Sequence, residues 1–222
     1  MDGVESKLAL ADGEVSTLLV RPAGARCLLV LGHGAGIPMR HAWMQQASEM
    51  LASRRIATFR YQFPYAEAGR RMPDRHPVLT ETVRHAVVAG AQAAGDLPLL
   101  AGGKSLGGRM TSLAAADDAL PAVSGLVFFG FPLHPARKPA TQRAEHLERI
   151  NLPMLFLQGT RDDLADIDLI GGVCDRLGDR AVLHVVEGAD HSFNVLRRSG
   201  RMADEVMGEL AATVEGWANK VD

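Results

Sequence analysis

Cysteine is scarce in this chain: Cys27 and Cys174 are the only two among 222 residues. Two are too few for a disulfide framework. Cys27 opens the run "CLLVL" and is expected as a small buried core residue. Long apolar runs are missing too, since no stretch approaches the roughly 20 residues that a membrane-spanning helix needs. The N-terminal "MDGVESKLALADGEVSTLLV" has no basic segment leading into an apolar core, so no secretory signal is expected. Charge of one sign is also lacking. Lys and Arg total 24 against 26 Asp and Glu, a formal net charge of -2. That balance gives no bulk electrostatic reason to expect nucleic acid or an anionic membrane as partner. Repeats, low-complexity tracts and linkers are absent as well. The expectation is a single cytoplasmic domain over residues 1–222, long enough to bury a sizeable core.

What is present alternates. "LALADGEVSTLLV" holds two apolar runs about Asp12-Gly13, a hairpin signal. "CLLVLGHGAG", "IATFRYQF", "LPLLAGG", "GLVFFGF", "PMLFLQG" and "AVLHVVEG" read as buried strands. Between and after them, "HAWMQQASEMLASR", "PVLTETVRHAVVAGAQAAG", "GGRMTSLAAAD", "TQRAEHLERI", "DIDLIGGVCDRLG" and "RMADEVMGELAATVEGWAN" read as helices. The last places Val206, Leu210, Val214 and Trp217 along one face. Apolar strands alternating with helices imply an α/β fold: a mainly parallel sheet covered on both faces, with the hairpin adding antiparallel strands at one edge.

"LLAGGKSLGGRM" sets four glycines around a Lys-Ser pair, directly after a strand and before a helix. A phosphate-cradling loop would need G-x-x-x-x-G-K-[ST], but Pro98 stands where the leading glycine belongs. A dinucleotide fingerprint fails too, because it follows the first strand of its unit and needs an acidic partner further on. The pattern that fits is G-x-S-x-G, Gly103 to Gly107, in the strand-to-helix context of a nucleophile elbow. Glycines are needed there because a Cβ would strike the neighbouring strand or helix. The helix then turns its first N–H groups toward developing negative charge.

A serine hydroxyl needs a base, and the base needs a carboxylate to orient it. In this fold type they follow in the order Ser, Asp/Glu, His, at the ends of later strands. "FLQGTRDDLAD" offers Asp162 and Asp163, and "VVEGADHSF" offers His191. The oxyanion hole requires two N–H donors. Leu106, after the nucleophile, is one; Ala35 in "GHGAG" is the choice for the other, with Gly34 and Gly36 as alternatives. His33 reads as a hydrogen bonder that orders this loop. Lys104 should point away from Ser105, because neighbours on the elbow diverge. His134 in "PLHP" is open between lining a pocket and ordering a loop. "AGRRMPDRHP" puts Arg70, Arg71 and Arg75 near the same sheet end, where a guanidinium could hold a substrate carboxylate.

The segments "LGHGAGIPMRHAWM", "FRYQFPYAEAGRRMPDRHP", "AGGKSLGGRM", "FFGFPLHPARKP", "LQGTRDDLAD" and "EGADHSF" run from Leu31 to Phe193. In this order they resemble the α/β-hydrolase superfamily. Within it they are similar to the small dienelactone-hydrolase-like branch of bacterial hydrolases and their testis-expressed and chromatin-complex relatives in animals. The resemblance implies an α/β-hydrolase fold with a central sheet of about eight strands and no large lid domain. It implies Ser105 as nucleophile, the Asp of "GTRD", Asp162, as acid and the His of "DHSF", His191, as base. True dienelactone hydrolases use cysteine where this chain has Ser105, so lactone specificity does not follow. The expected function is an esterase-like serine hydrolase taking small or short-acyl ester-type substrates through an acyl-enzyme, with no cofactor and no metal. The rival is an interaction module that keeps the fold without turnover.

Overall fold

The computed structural model describes residues 3–221. A hairpin of β1 (Val4–Leu10) and β2 (Gly13–Val20) turns at Ala11-Asp12, one residue before the expected pair, and Gly13 opens β2 at φ 118° opposite Leu10. Then follow β3 (Cys27–Gly32), α1 (Ala42–Ser53), β4 (Ile56–Tyr61), α2 (Pro64–Glu67), α3 (His76–Ala94), β5 (Leu99–Lys104) and α4 (Leu106–Asp117). The second half runs β6 (Val123–Phe129), a 3-10 helix (Gln142–Arg149), β7 (Met154–Gly159), α5 (Ile167–Leu177), β8 (Ala181–Val186) and α6 (Ala203–Ala218). The eight strands form one sheet in the order β1-β2-β4-β3-β5-β6-β7-β8. β1, β2 and β4 pair antiparallel, and every pairing from β4 to β8 is parallel. This is the α/β-hydrolase fold, and only the 3-10 helix occupies the stretch between β6 and β7 where a lid domain would be inserted.

The strands are apolar throughout because the pleat sends successive side chains to opposite faces, and both faces are covered. Leu28 and Val30 of β3 join one core with residues of α3, α4 and α5. Cys27, Leu29 and Leu31 join the other, against α1 and α6. Val206, Leu210, Val214 and Trp217 line the buried face of α6, as their spacing predicts.

Three elements differ from the sequence reading. "TQRAEHLERI" forms a 3-10 helix rather than an α-helix. Its buried Ala144, Leu147 and Ile150 recur every three residues, the period of the tighter helix. The four-residue α2, opened by Pro64, is too short to show a period and went unread. β8 is the free edge next to β7, which leaves Val182 and Val185 exposed rather than buried.

Chain order reverses between β3 and β5. β3 leads outward to β4 on one side, and β5 leads to β6, β7 and β8 on the other. Loops at the carboxyl ends of strands diverge at such a point and leave a crevice. The loop after β3 and the turn after β5 meet there.

Candidate active site

Ser105 alone makes the turn between β5 and α4, at φ 50° and ψ −111°. A non-glycine residue with positive φ is strained, and such strain persists only where its surroundings hold it. Here the Ser105 N–H donates to the Phe129 carbonyl at 3.1 Å, and its own carbonyl accepts from the Arg109 N–H at 3.0 Å. The flanking glycines permit the close approach. A Cβ on Gly103 or Gly107 would collide with the Gly32 carbonyl oxygen of β3.

Three side chains from three loops converge on this turn. The Ser105 hydroxyl donates to His191 Nε2 across 2.9 Å. His191 Nδ1 donates to Asp162 Oδ2 across 2.7 Å. A carboxylate oxygen can only accept, so this contact fixes the tautomer that leaves Nε2 as the acceptor of the Ser105 hydroxyl. The Asp162 side chain is fully buried, whereas that of His191 is 24% exposed at the mouth of the site. Burying a carboxylate requires saturating its oxygens. Oδ1 accepts from the Leu164 N–H at 2.8 Å, and Oδ2 also accepts from Gln158 Nε2 at 2.5 Å. Gln158 is held in turn, its Oε1 accepting the Phe131 N–H at 3.0 Å. The neighbouring Asp163 is exposed.

The loop after β3 is pinned from below. His33 is fully buried; its Nδ1 donates to the Gly34 carbonyl at 2.9 Å and its Nε2 accepts the Phe63 N–H at 3.1 Å. Both contacts suit a neutral ring, and burial pushes its pKa down to about 4. His33 thus orders the loop. Two polar residues of "FRYQF" complete the anchorage. Arg60 Nη1 donates to the Met39 carbonyl at 2.9 Å, and Gln62 Oε1 accepts the Met39 N–H at 2.9 Å. The N–H of Leu106, first in α4, has no carbonyl one turn back. Those of Gly34, Ala35 and Gly36 donate to no protein acceptor among the described residues. These are the amides from which a two-donor oxyanion hole can be drawn.

Beside this loop lies a cleft of about 200 Å³ lined by His33, Ile37, Tyr65, Arg70 and Arg71, among others. The Tyr65 hydroxyl is buried with no hydrogen-bond partner among the described residues. Arg70 is 2.6 Å from Asp74, while Arg71 is exposed and forms no ion pair among the described residues. Arg75 stands at the residue before α3, with no capping bond from its side chain, and lines no part of the cleft. His134 is buried and orders a loop, accepting the Asp166 N–H at 2.8 Å.

Gln158 and Lys104 also make positioning contacts that the sequence reading does not assign. Each is a polar residue in an otherwise apolar strand, "MLFLQG" and "LLAGGK", which is the signal that could have found them. The Lys104 Nζ donates to the His191 carbonyl at 2.6 Å rather than to Ser105.

Residues 25–219 match the family described as "Alpha/beta hydrolase domain". Among solved structures, an α/β serine hydrolase homologue from Coxiella burnetii superposes with a TM-score of 0.77 at 16% identity, covering 96% of this chain and 98% of that one. A dienelactone hydrolase from Anabaena variabilis gives 0.76 at 18% identity, over 97% and 96%. An α/β serine hydrolase without a lid from Xanthomonas campestris gives 0.74 at 17%, over 98% and 95%. At such identities the likeness concerns the fold.

Proposed function

The chain belongs to the α/β-hydrolase domain family, and on that premise we propose that it is a serine hydrolase cleaving ester-type bonds of small acyl substrates. The observation that supports this most is the hydrogen-bonded row from Ser105 through His191 to Asp162, at 2.9 and 2.7 Å. Its polarity is that of a nucleophile, its base and the base's orienting carboxylate.

In the proposed reaction His191 Nε2 takes the Ser105 proton as Oγ attacks the ester carbonyl carbon. The resulting oxyanion lies against the N–H groups of Leu106 and of the 34–36 loop, Ala35 first among them. Losing one such donor typically costs about 2.7–4 kcal/mol of transition-state stabilisation. His191 then gives its proton to the departing alkoxide, and the acyl group remains on Ser105. Water, deprotonated by the same nitrogen, attacks the acyl carbon, and as the bond to Ser105 Oγ breaks His191 returns that proton to Oγ and the acid leaves. Asp162 stays ionised and balances the imidazolium that forms in each half-reaction.

The absence of an inserted lid between β6 and β7 and the partly exposed His191 favour short, water-soluble acyl groups over emulsified lipid. The exposed Arg71 and the Asp74-paired Arg70 favour acyl groups that carry a distal carboxylate. The test is hydrolysis of p-nitrophenyl esters graded in chain length and charge. Short esters should turn over and long-chain triglyceride emulsions should not. Replacing Arg70 and Arg71 together by Ala should raise KM for a carboxylate-bearing ester about 10-fold relative to a neutral one of equal length. An unchanged KM ratio removes the arginines from the substrate site, and a wild-type protein inert toward every ester removes the ester reading.

A further inference from the structure

We infer that Lys104 is a positioning residue for His191: buried beside the stacked rings of Trp43 and Phe193, its ammonium holds the His191 carbonyl and so keeps the imidazole in line with Ser105. This rests on the triad reading above and adds to it a fourth residue that touches no reacting atom.

The geometry is specific. Lys104 is 2% exposed, and its Nζ lies 5.7 Å from the ring centroids of both Trp43 and Phe193. The two rings stack on each other at 6.4 Å and the amine lies beside them, a setting that suits a cation because aromatic rings attract one. The acceptor at 2.6 Å is the backbone oxygen of the residue that carries the base. Among the described residues no carboxylate comes within ion-pairing distance of this amine. Burying a lysine without a salt bridge is costly, and burial pushes its pKa down to about 8. A methionine would fill the same space without that cost, so what the amine adds is its donor and its charge.

A second strut acts on the next peptide. Trp43 Nε1 donates to the Ser192 carbonyl at 3.1 Å, and Phe193 follows at φ 63°. Trp43 and Lys104 therefore grip consecutive carbonyls of the histidine loop from α1 and from the end of β5. The room for the amine is reserved by Gly130, which itself takes φ 68°. A Cβ there would lie 3.1 Å from Lys104 Nζ and 3.4 Å from His191 Cε1. The charged groups facing Nζ are Asp162 beyond β7 and Asp190 in the histidine loop, both of which favour the ammonium, although desolvation outweighs them. As pH rises through this depressed value the cation becomes a neutral amine, a weaker donor with no attraction for the rings. The grip on His191 then loosens.

The experiment measures the second-order rate at which a fluorophosphonate labels Ser105 from about pH 6 to about pH 10. Wild type, Lys104→Met and Lys104→Arg are compared, with circular dichroism checking the fold of each. Lys104→Met should label at least about 10-fold more slowly at neutral pH, since a displaced base loses its alignment with the hydroxyl. The wild-type rate should fall above pH 8, and Lys104→Arg, which keeps its charge, should carry that alkaline limb about one pH unit higher or more. A folded Lys104→Met that labels at the wild-type rate with the wild-type profile overturns the inference. Should that variant not fold, an alkaline limb left unmoved by Lys104→Arg overturns it instead. Wild-type protein that takes no label at all would sink the Ser105 reading itself, a failure distinct from these.

Discussion

Asp162→Asn should lower kcat by about three to four orders of magnitude while the protein stays folded. The carboxylate has two oxygens and accepts from three donors: His191 Nδ1 and Gln158 Nε2 on Oδ2, and the Leu164 N–H on Oδ1. An amide offers one oxygen and one NH2. Turned so that its oxygen keeps His191 and Gln158, it points NH2 at the Leu164 N–H and supplies no charge against the imidazolium. Turned the other way, it confronts His191 with a donor and drives the ring to the tautomer whose Nε2 carries a proton. The first leaves a weakened base and the second leaves none. At about 1.36 kcal/mol per tenfold, the loss corresponds to roughly 4–5.5 kcal/mol of transition-state stabilisation. Single-turnover kinetics on a short ester, with thermal melts alongside, separate this loss from unfolding. Asp163→Asn should change neither, because that side chain is exposed.

Gly107→Ala should strongly destabilise the fold around the candidate site. The added carbon would fall on the Gly32 carbonyl, with the His33 carbonyl oxygen only 2.8 Å away. Both obstacles are backbone, in the strand and loop that carry the proposed oxyanion donors. No side chain can swing aside to relieve them. Overpacking of this kind costs about 3 kcal/mol or more, and for a chain of this length each kcal/mol lowers Tm by roughly 2–4 °C. The control is Gly171→Ala in α5, where nothing lies within 4 Å of the new carbon. That substitution should raise stability by up to about 1 kcal/mol through helix propensity alone. Thermal melts of the two variants should therefore move in opposite directions.

Much of the fold was legible because apolar strands and amphipathic helices carry different periods, and this chain keeps them separate. Legibility failed where the period was short or the context tertiary. The 3-10 helix at Gln142–Arg149 hides in a sequence that also fits an α-helix, since only the burial of Ala144, Leu147 and Ile150 exposes its threefold repeat. The exposure of β8 depends on its place at the sheet edge, which no local pattern reports. At the site, Ser105 and His191 stood out because steric demand sets glycines around the first and strand order places the second. Asp162 and Asp163 are adjacent acids of equal chemistry, and residues alone left them tied. What separates them is that the turn after β7 buries one against Gln158 and leaves the other in solvent. Arg60 and Lys104 sit in strands as polar interruptions and Gln62 just beyond one, and their partners lie on loops remote in sequence.

The account depends on Ser105 Oγ being made nucleophilic by the imidazole beside it. The most direct measurement is intact-mass and peptide mapping after exposure to a fluorophosphonate. The account predicts one adduct, on the peptide carrying Ser105, abolished in Ser105→Ala and slowed at least 100-fold in His191→Ala. Folded wild-type protein that remains unlabelled, or an adduct that persists in Ser105→Ala, would contradict it.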